Sequence, residues 1–406
     1  MTDRPPGPAP IRPFGAASWA VAGVVLVLGL SYLVRDLRLI HDGLAINDYV
    51  RLGRDFVNVW HGGALASGGH AATLYDLDAY RESLWQALGV RGIYAYSYPP
   101  HSLFLAIAFS LLPYGPALAA WTLIGLALFV HAARPYLAAA GLPWWVAALL
   151  PAGFVNIWAA HYGFFIGAAS LYGWRQLEAR PTRAGLAFAL MTIKPHLGLL
   201  IALALLMRRE WRAIGWTAGF TLALALAAAA LFGWGLWPVY LLHTLGFHAT
   251  LLDAPAMAFH AMMPTTTMAA RQIGLPQGMG DAAQIISALA ALAVVLRCAR
   301  ARVGATDLGL IAATAIFLVL PYAFIYDMTV QSLAALVFAA RAAGPQARRD
   351  RIVLLCAFLL PLLQMSLAQA GIPLAPPILL AALFVQMRIA LSGRDGPAGA
   401  GAAHSA

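Results

Sequence analysis

The chain has 406 residues, of which 62% are apolar and only 10% charged, and its mean hydropathy is +0.76. Soluble domains are nearer half apolar and a quarter charged, so a water-soluble globular protein is excluded. The net charge of +10 resides largely in arginines of short loops and helix ends (Arg208, Arg209, Arg212, Arg348, Arg349, Arg351), a placement that membrane topology demands and nucleic acid does not.

In chain order, the first apolar run covers residues 17–34. It is long enough to cross a bilayer as a helix, which takes about 20 residues. Its apolar core is too long for a signal peptide and no small-x-small site follows it cleanly, so it is expected to remain as a first helix. Arg4 and Arg12 precede it, which puts the N-terminus in the cytoplasm and the following segment on the extracytoplasmic side.

Residues 36–99 form a polar stretch that gathers seven of the sixteen acidic residues: Asp36, Asp42, Asp48, Asp55, Asp76, Asp78 and Glu82. The spacing of Phe56, Trp60 and Leu65, and then of Tyr80, Leu84 and Leu88, predicts short amphipathic helices lying at the membrane surface. Gly62, Gly63, Gly68 and Gly69 punctuate them. Pro99 and Pro100 hold the backbone extended where the chain re-enters the membrane. Tyr94, Tyr96 and Tyr98 suit the interfacial aromatic belt.

Apolar segments follow at 101–112, 116–133, 143–158, 161–174, 184–207, 213–233, 282–297, 307–324, 328–341, 352–369 and 374–391. Several are shorter than a crossing, and Lys194-Pro195-His196 interrupts 184–207. From a cytoplasmic N-terminus, strict alternation does not place every Arg-rich loop in the cytoplasm, so some segments are expected to be half-spans or re-entrant. The fold class is therefore an all-α polytopic membrane protein with about 10–12 transmembrane helices. Residues 1–392 read as a single membrane-embedded domain with a second polar loop at 234–281, and 393–406 as a low-complexity disordered tail. Internal repeats do not stand out, which disfavours an inverted-repeat transporter. Cys298 and Cys356 lie in apolar segments without CxxC spacing and read as packing residues.

The chemistry-bearing stretch is NDYVRLGRDFVNVWHGG, 47–63, with Asp48, Arg51, Arg54 and Asp55 inside eight positions. Three readings are open for it. It is a solvated juxtamembrane loop; or a proton relay, which needs carboxylates inside spans that here nearly lack them; or an active site in which a carboxylate takes the proton of an attacking hydroxyl. The cluster alone does not choose.

Taken with YSYPP, the order of a lone N-terminal helix, an acidic loop and many spans resembles the GT-C membrane glycosyltransferases. More narrowly, it resembles glycosyltransferase family 87, the polyprenyl-phosphate-mannose-dependent α-mannosyltransferases also known as DUF2029. The motifs that carry the resemblance are Asp55-Phe56, Gly68, Leu74-Tyr75-Asp76, Tyr98-Pro99-Pro100 and Leu112-Pro113-Tyr114. It continues at HYGFF (161–165), IKPHLGLLIALALLMRREWRA (193–213), MPTTTMAARQIG (263–274) and PYAFIYDMTV (321–330).

The resemblance implies a GT-C-type fold and a polyprenyl-monophosphate sugar donor. The sugar, mannose or another hexose, would pass to a lipid or glycan acceptor with inversion, in a multi-pass bacterial inner-membrane protein whose site faces the periplasm. Its general base carries over to Asp55, with Asp48 as the alternative and Arg54 beside an anionic head group. Lys194, the only lysine beside twenty-five arginines, is a candidate phosphate partner or a snorkelling side chain. His196, His161, Tyr98 and Arg271 are further substrate-binding candidates. Tyr326 and Asp327 would hold sugar hydroxyls, at a place where the best-known mannosyltransferase branch has histidine. That departure leaves the sugar open. His243, His248 and His260 have no metal-ligand spacing, so neither metal nor other cofactor is expected. A membrane transporter or lipid flippase, and a non-catalytic membrane subunit, are the rival readings.

Overall fold

A computed structural model describes residues 15–253 and 258–392. Arg4, Arg12 and the tail 393–406 lie outside the described residues, as does the side chain of His248. Helix α1 (Ala16–Leu39) is uniformly apolar until its last turns, and buries only Val25, Gly29 and Asp36. The rest of its surface suits lipid. A two-strand hairpin follows, β1 (Ala45–Asn47) and β2 (Val50–Arg51), with Asp48 in its turn. Then come α2 (Phe56–Ser67) and α3 (Leu77–Leu88). Asp76 starts α3 by accepting the Ala79 N–H at 3.1 Å, and left-handed Gly89 ends it.

The bundle proper comprises α4 (Leu103–Ser110), α5 (Tyr114–Ala139), α6 (Pro151–Ala159), α7 (Gly163–Gln176), α8 (Pro181–Leu190), α9 (Leu199–Arg208) and α10 (Trp211–Phe232). It continues with α11 (Leu236–Asp253), α12 (Thr266–Gln272), α13 (Gln277–Arg300), α14 (Ala305–Val319), α15 (Thr329–Arg341), α16 (Ala347–Gln369) and α17 (Ala375–Ser392). The core runs through α14 and α15, where Thr329 through Ala335 are all buried. Helix α10, like α1, turns mostly apolar side chains outward. The chain is a multi-pass membrane protein.

Among the described residues, six helices (α1, α5, α10, α13, α16 and α17) are long and apolar enough to cross a bilayer by themselves. Four shorter apolar helices, 100–110, 195–208, 305–319 and 329–341, account for further apolar segments of the sequence. They are short because prolines and polar residues interrupt the apolar runs, as at Lys194-Pro195 between α8 and α9.

These interruptions all meet at one end of the bundle. Lys194, before α9, pairs with Asp327, between α14 and α15, at 2.7 Å. The other ends of the same helices carry the arginines. Arg208 donates to the Val303 carbonyl at 2.6 Å and Arg341 pairs with Asp307 at 2.6 Å. Arg388 pairs with Asp350 there too. The arginine turns of these helices thus gather opposite the broken end.

Three local expectations are corrected. Helix α2 does not lie on a surface but is buried on most sides, from Phe56 to Gly63. Gly62 and Gly63 do not interrupt it. They are packing positions, since a Cβ on Gly63 would sit 2.4 Å from the Ala106 carbonyl oxygen of α4, and one on Gly62 2.3 Å from the Tyr96 ring. Tyr96 and Tyr98 are buried, not interfacial: Tyr96 Oη bonds Ser102 Oγ at 2.7 Å. Of the cysteines, Cys298 is buried and Cys356 lies on the exposed side of α16.

Candidate active site

The broken end of the bundle encloses a cavity of about 860 Å³. The 36–99 segment forms one wall through Tyr49, Arg54, Asp55, Asn58, Tyr94 and Tyr98, and α1 contributes Arg35. Facing them are His161, from the α6–α7 break, Lys194 and His196, from the α8–α9 break, and Tyr326 and Asp327, from the α14–α15 break. The remaining wall is apolar: Leu241, Phe247, Phe259, Met262 and Met365. Eight of the residues expected from sequence therefore border one space. Asp48 and Arg271 do not. Asp48 sits exposed in the hairpin turn, where its carbonyl accepts the Arg91 N–H at 2.8 Å, and Arg271 lies near the C-terminal end of α12.

Asp55 owes its position to an unusual turn. Gly53 and Arg54 both have positive φ, 82° and 36°, so the chain reverses sharply before α2. For arginine that conformation is strained, and such strain collects where a site needs it. Asp55 itself is helical (φ −70°, ψ −17°) and its carboxylate makes no capping bond to α2. An aspartate that caps sits in the extended region. This one is turned instead to the cavity, with its N–H held by the Ala159 carbonyl at 3.1 Å. Burial raises its carboxyl to about 6, and the Lys194 and Arg54 charges oppose that rise.

Arg54 does not float in solvent. Its guanidinium donates to buried Asp36 of α1 at 2.5 Å and lies 4.1 Å over the Trp158 ring. Arg35 approaches the same carboxylate at 3.5 Å. Arg51, the other arginine of the cluster, serves the fold, donating to the carbonyls of Leu88 (2.6 Å) and Gly43 and covering Tyr114.

The facing wall is an aromatic stack with an ion pair against it. The rings of Phe324 and Tyr326 stack at 5.0 Å, and those of Tyr326 and His161 at 4.2 Å and 10°. Gly163 makes this approach possible, because a Cβ there would lie 2.2 Å from the Tyr326 carbonyl oxygen. The Tyr162 N–H donates to His161 Nδ1 at 2.7 Å, so in the neutral ring Nε2 carries the proton and donates to Tyr98 Oη at 2.8 Å. Tyr98's own hydroxyl proton is left over. Lys194 Nζ lies 2.7 Å from both Asp327 oxygens and 4.9 Å above the Tyr326 ring. Its charge is thus already matched by a carboxylate, which the sequence did not signal because the partners are far apart in the chain.

The profile of glycosyltransferase family 87 matches residues 96–325, more than half of the chain. The chain belongs to glycosyltransferase family 87. It is a membrane glycosyltransferase, which displaces the transporter and non-catalytic readings. No curated protein and no solved structure matches it. The matched range stops short of Asp55 on one side and of Tyr326-Asp327 on the other, so these family 87 cavity residues stand on geometry. Sequence reading overlooked Arg35, Asp36, Asn58 and Tyr322. For Asp36 there was a signal, a carboxylate in the last turns of an apolar span, where an unpaired charge is costly.

Proposed function

We propose that this family 87 enzyme moves a hexose from a polyprenyl-monophosphate donor to a lipid or glycan acceptor on the extracytoplasmic side, with inversion and with Asp55 as general base. The observation that carries this reading is the Asp55 carboxylate, uncapped and turned into a cavity that is polar on one wall and apolar on the other. In the transfer, Asp55 takes the acceptor hydroxyl proton as that oxygen attacks the anomeric carbon. The anomeric carbon–oxygen bond to phosphate breaks, and polyprenyl phosphate leaves with the bonding pair. A phosphate monoester is a good leaving group and needs charge stabilisation more than a proton.

The stacked rings of His161 and Tyr326 give the cavity an aromatic border against which a sugar can pack. The Lys194–Asp327 pair, neutral as a unit, offers a donor and an acceptor to its hydroxyls, and Tyr98 has a hydroxyl proton to give. His196 borders the same space. The apolar wall suits a prenyl chain. Neither metal nor other cofactor is called for by this chemistry.

The experiment is transfer by the purified protein in proteoliposomes from labelled polyprenyl-phosphate hexoses, with the product identified by mass spectrometry. A new glycosidic bond whose anomeric configuration is opposite to the donor's is expected. Transfer only from nucleotide sugars would overturn the donor class.

A further inference from the structure

We propose that the guanidinium groups of Arg35 and Arg54, bridged by Asp36, form the recognition site for the phosphoryl group of a polyprenyl monophosphate. The proposal rests on the donor class proposed above. It moves the phosphate away from Lys194, one of the candidate phosphate partners in the sequence, to a pair that includes Arg54.

Charge matching comes first. Lys194 is buried and held by both oxygens of Asp327, so it brings no uncompensated positive charge to the cavity. At the rim the balance is different. Two guanidinium groups share the single carboxylate of Asp36, at 2.5 Å from Arg54 and 3.5 Å from Arg35, so the outer guanidinium is only loosely neutralised at the cavity edge. Asp36 is almost wholly buried, while the Arg35 side chain is 58% exposed. The anchor is fixed and the outer cation is free to reach a ligand. Arg54 Nε–H is buried without a partner, a donor that the protein itself leaves unused.

Position supports the same assignment. Arg35 borders the cavity and also a second hollow, of about 340 Å³, on the outer face of α1 with Ser31, Val34, Arg38 and Leu39. It therefore stands between an apolar, lipid-facing surface and the space that holds Asp55. A molecule with a long apolar chain and one phosphate would pass the gap with its phosphate against Arg35. Under the proposed topology, Arg35 and Arg38 end the first span on the extracytoplasmic side, where the positive-inside tendency makes cations scarce. A planar guanidinium pair suits the several oxygens of a phosphate monoester better than a single ammonium does.

The test measures binding, not turnover. Full-length protein in phosphatidylcholine nanodiscs is titrated with undecaprenyl phosphate, with undecaprenol and with inorganic phosphate. Wild type should prefer undecaprenyl phosphate to undecaprenol, and Arg35→Gln should weaken that binding at least tenfold without altering undecaprenol binding. Arg35→Lys should restore part of it. Because Arg35 is exposed, its replacement leaves the fold intact. Arg54→Gln should weaken the same ligand, and Lys194→Gln should weaken it less than Arg35→Gln. Unchanged undecaprenyl phosphate binding in Arg35→Gln would overturn the proposal while leaving the donor class standing. No preference of wild type for the phosphorylated lipid would overturn the donor class itself, and this proposal with it. An equal Arg35-dependent response to inorganic phosphate would overturn the lipid as the source of the phosphoryl group.

Discussion

Asp55 is the residue on which the chemistry turns, and its surroundings make two measurable demands. Replacing it by asparagine keeps the shape and removes the base. Asp55→Asn should therefore give a folded, membrane-inserted protein whose transfer rate falls by roughly 10²–10⁴-fold, the usual contribution of a general base; near-normal transfer would reject the role. A base must also be ionised. Burial lifts the Asp55 carboxyl to about 6, so kcat/KM should rise with pH through about 6 and level off above it, a limb absent from Asp55→Asn. The Lys194–Asp327 pair makes a different demand. Removing one partner strands the other charge in the interior, at a cost of roughly 3–5 kcal/mol, whereas removing both relieves it. Thermal unfolding in detergent should place Lys194→Met below both wild type and the double variant Lys194→Met, Asp327→Leu.

At the scale of elements, the site depends on where helices stop. The α6–α7 break presents His161 because Ala160 takes a positive φ of 48° and Gly163 lets α7 begin against the Tyr326 carbonyl. Gly163→Ala should force these segments apart. Overpacking of this kind costs roughly 1–3 kcal/mol, and here it should also separate the His161 and Tyr326 rings and lower activity more than stability. Gly63→Ala makes an instructive contrast. Its Cβ would meet the Ala106 backbone at the α2–α4 crossing, so it should lower the unfolding temperature while the cavity rings keep their stacking. A comparison of residual transfer at matched stability separates the two. The periodicity of α3 was legible in sequence, and Tyr80 and Leu84 on the apolar face it marks are buried in the protein core. That of α2 was misread as a surface helix, because apolar spacing gives the face that packs but not how many neighbours cover the helix.

At the scale of the whole molecule, the cavity lies at one end of the bundle and the arginine turns at the other. If the cavity faces outward, a cysteine at exposed Asp48 should react with a membrane-impermeant maleimide added to intact cells. One at Gln346, between α15 and α16, should react only after permeabilisation. Cys298 and Cys356 would first be replaced by alanine. The reverse pattern would place the cavity in the cytoplasm.

Composition and apolar run length by themselves determined that this is a polytopic helical membrane protein, because bilayer thickness translates directly into sequence length. The order of short motifs, from Asp55-Phe56 to PYAFIYDMTV, was enough to indicate the family, and the individual cavity residues Tyr98, His161, Lys194, His196, Tyr326 and Asp327 were legible as polar groups at breaks in apolar runs. Only the tertiary structure decided what those groups are to one another. Asp36 with Arg54 and Lys194 with Asp327 are neighbours through space, the second pair 133 residues apart in the chain. A charge buried in an apolar bundle is tolerated through such partners, and a linear sequence carries no record of which distant residue supplies them.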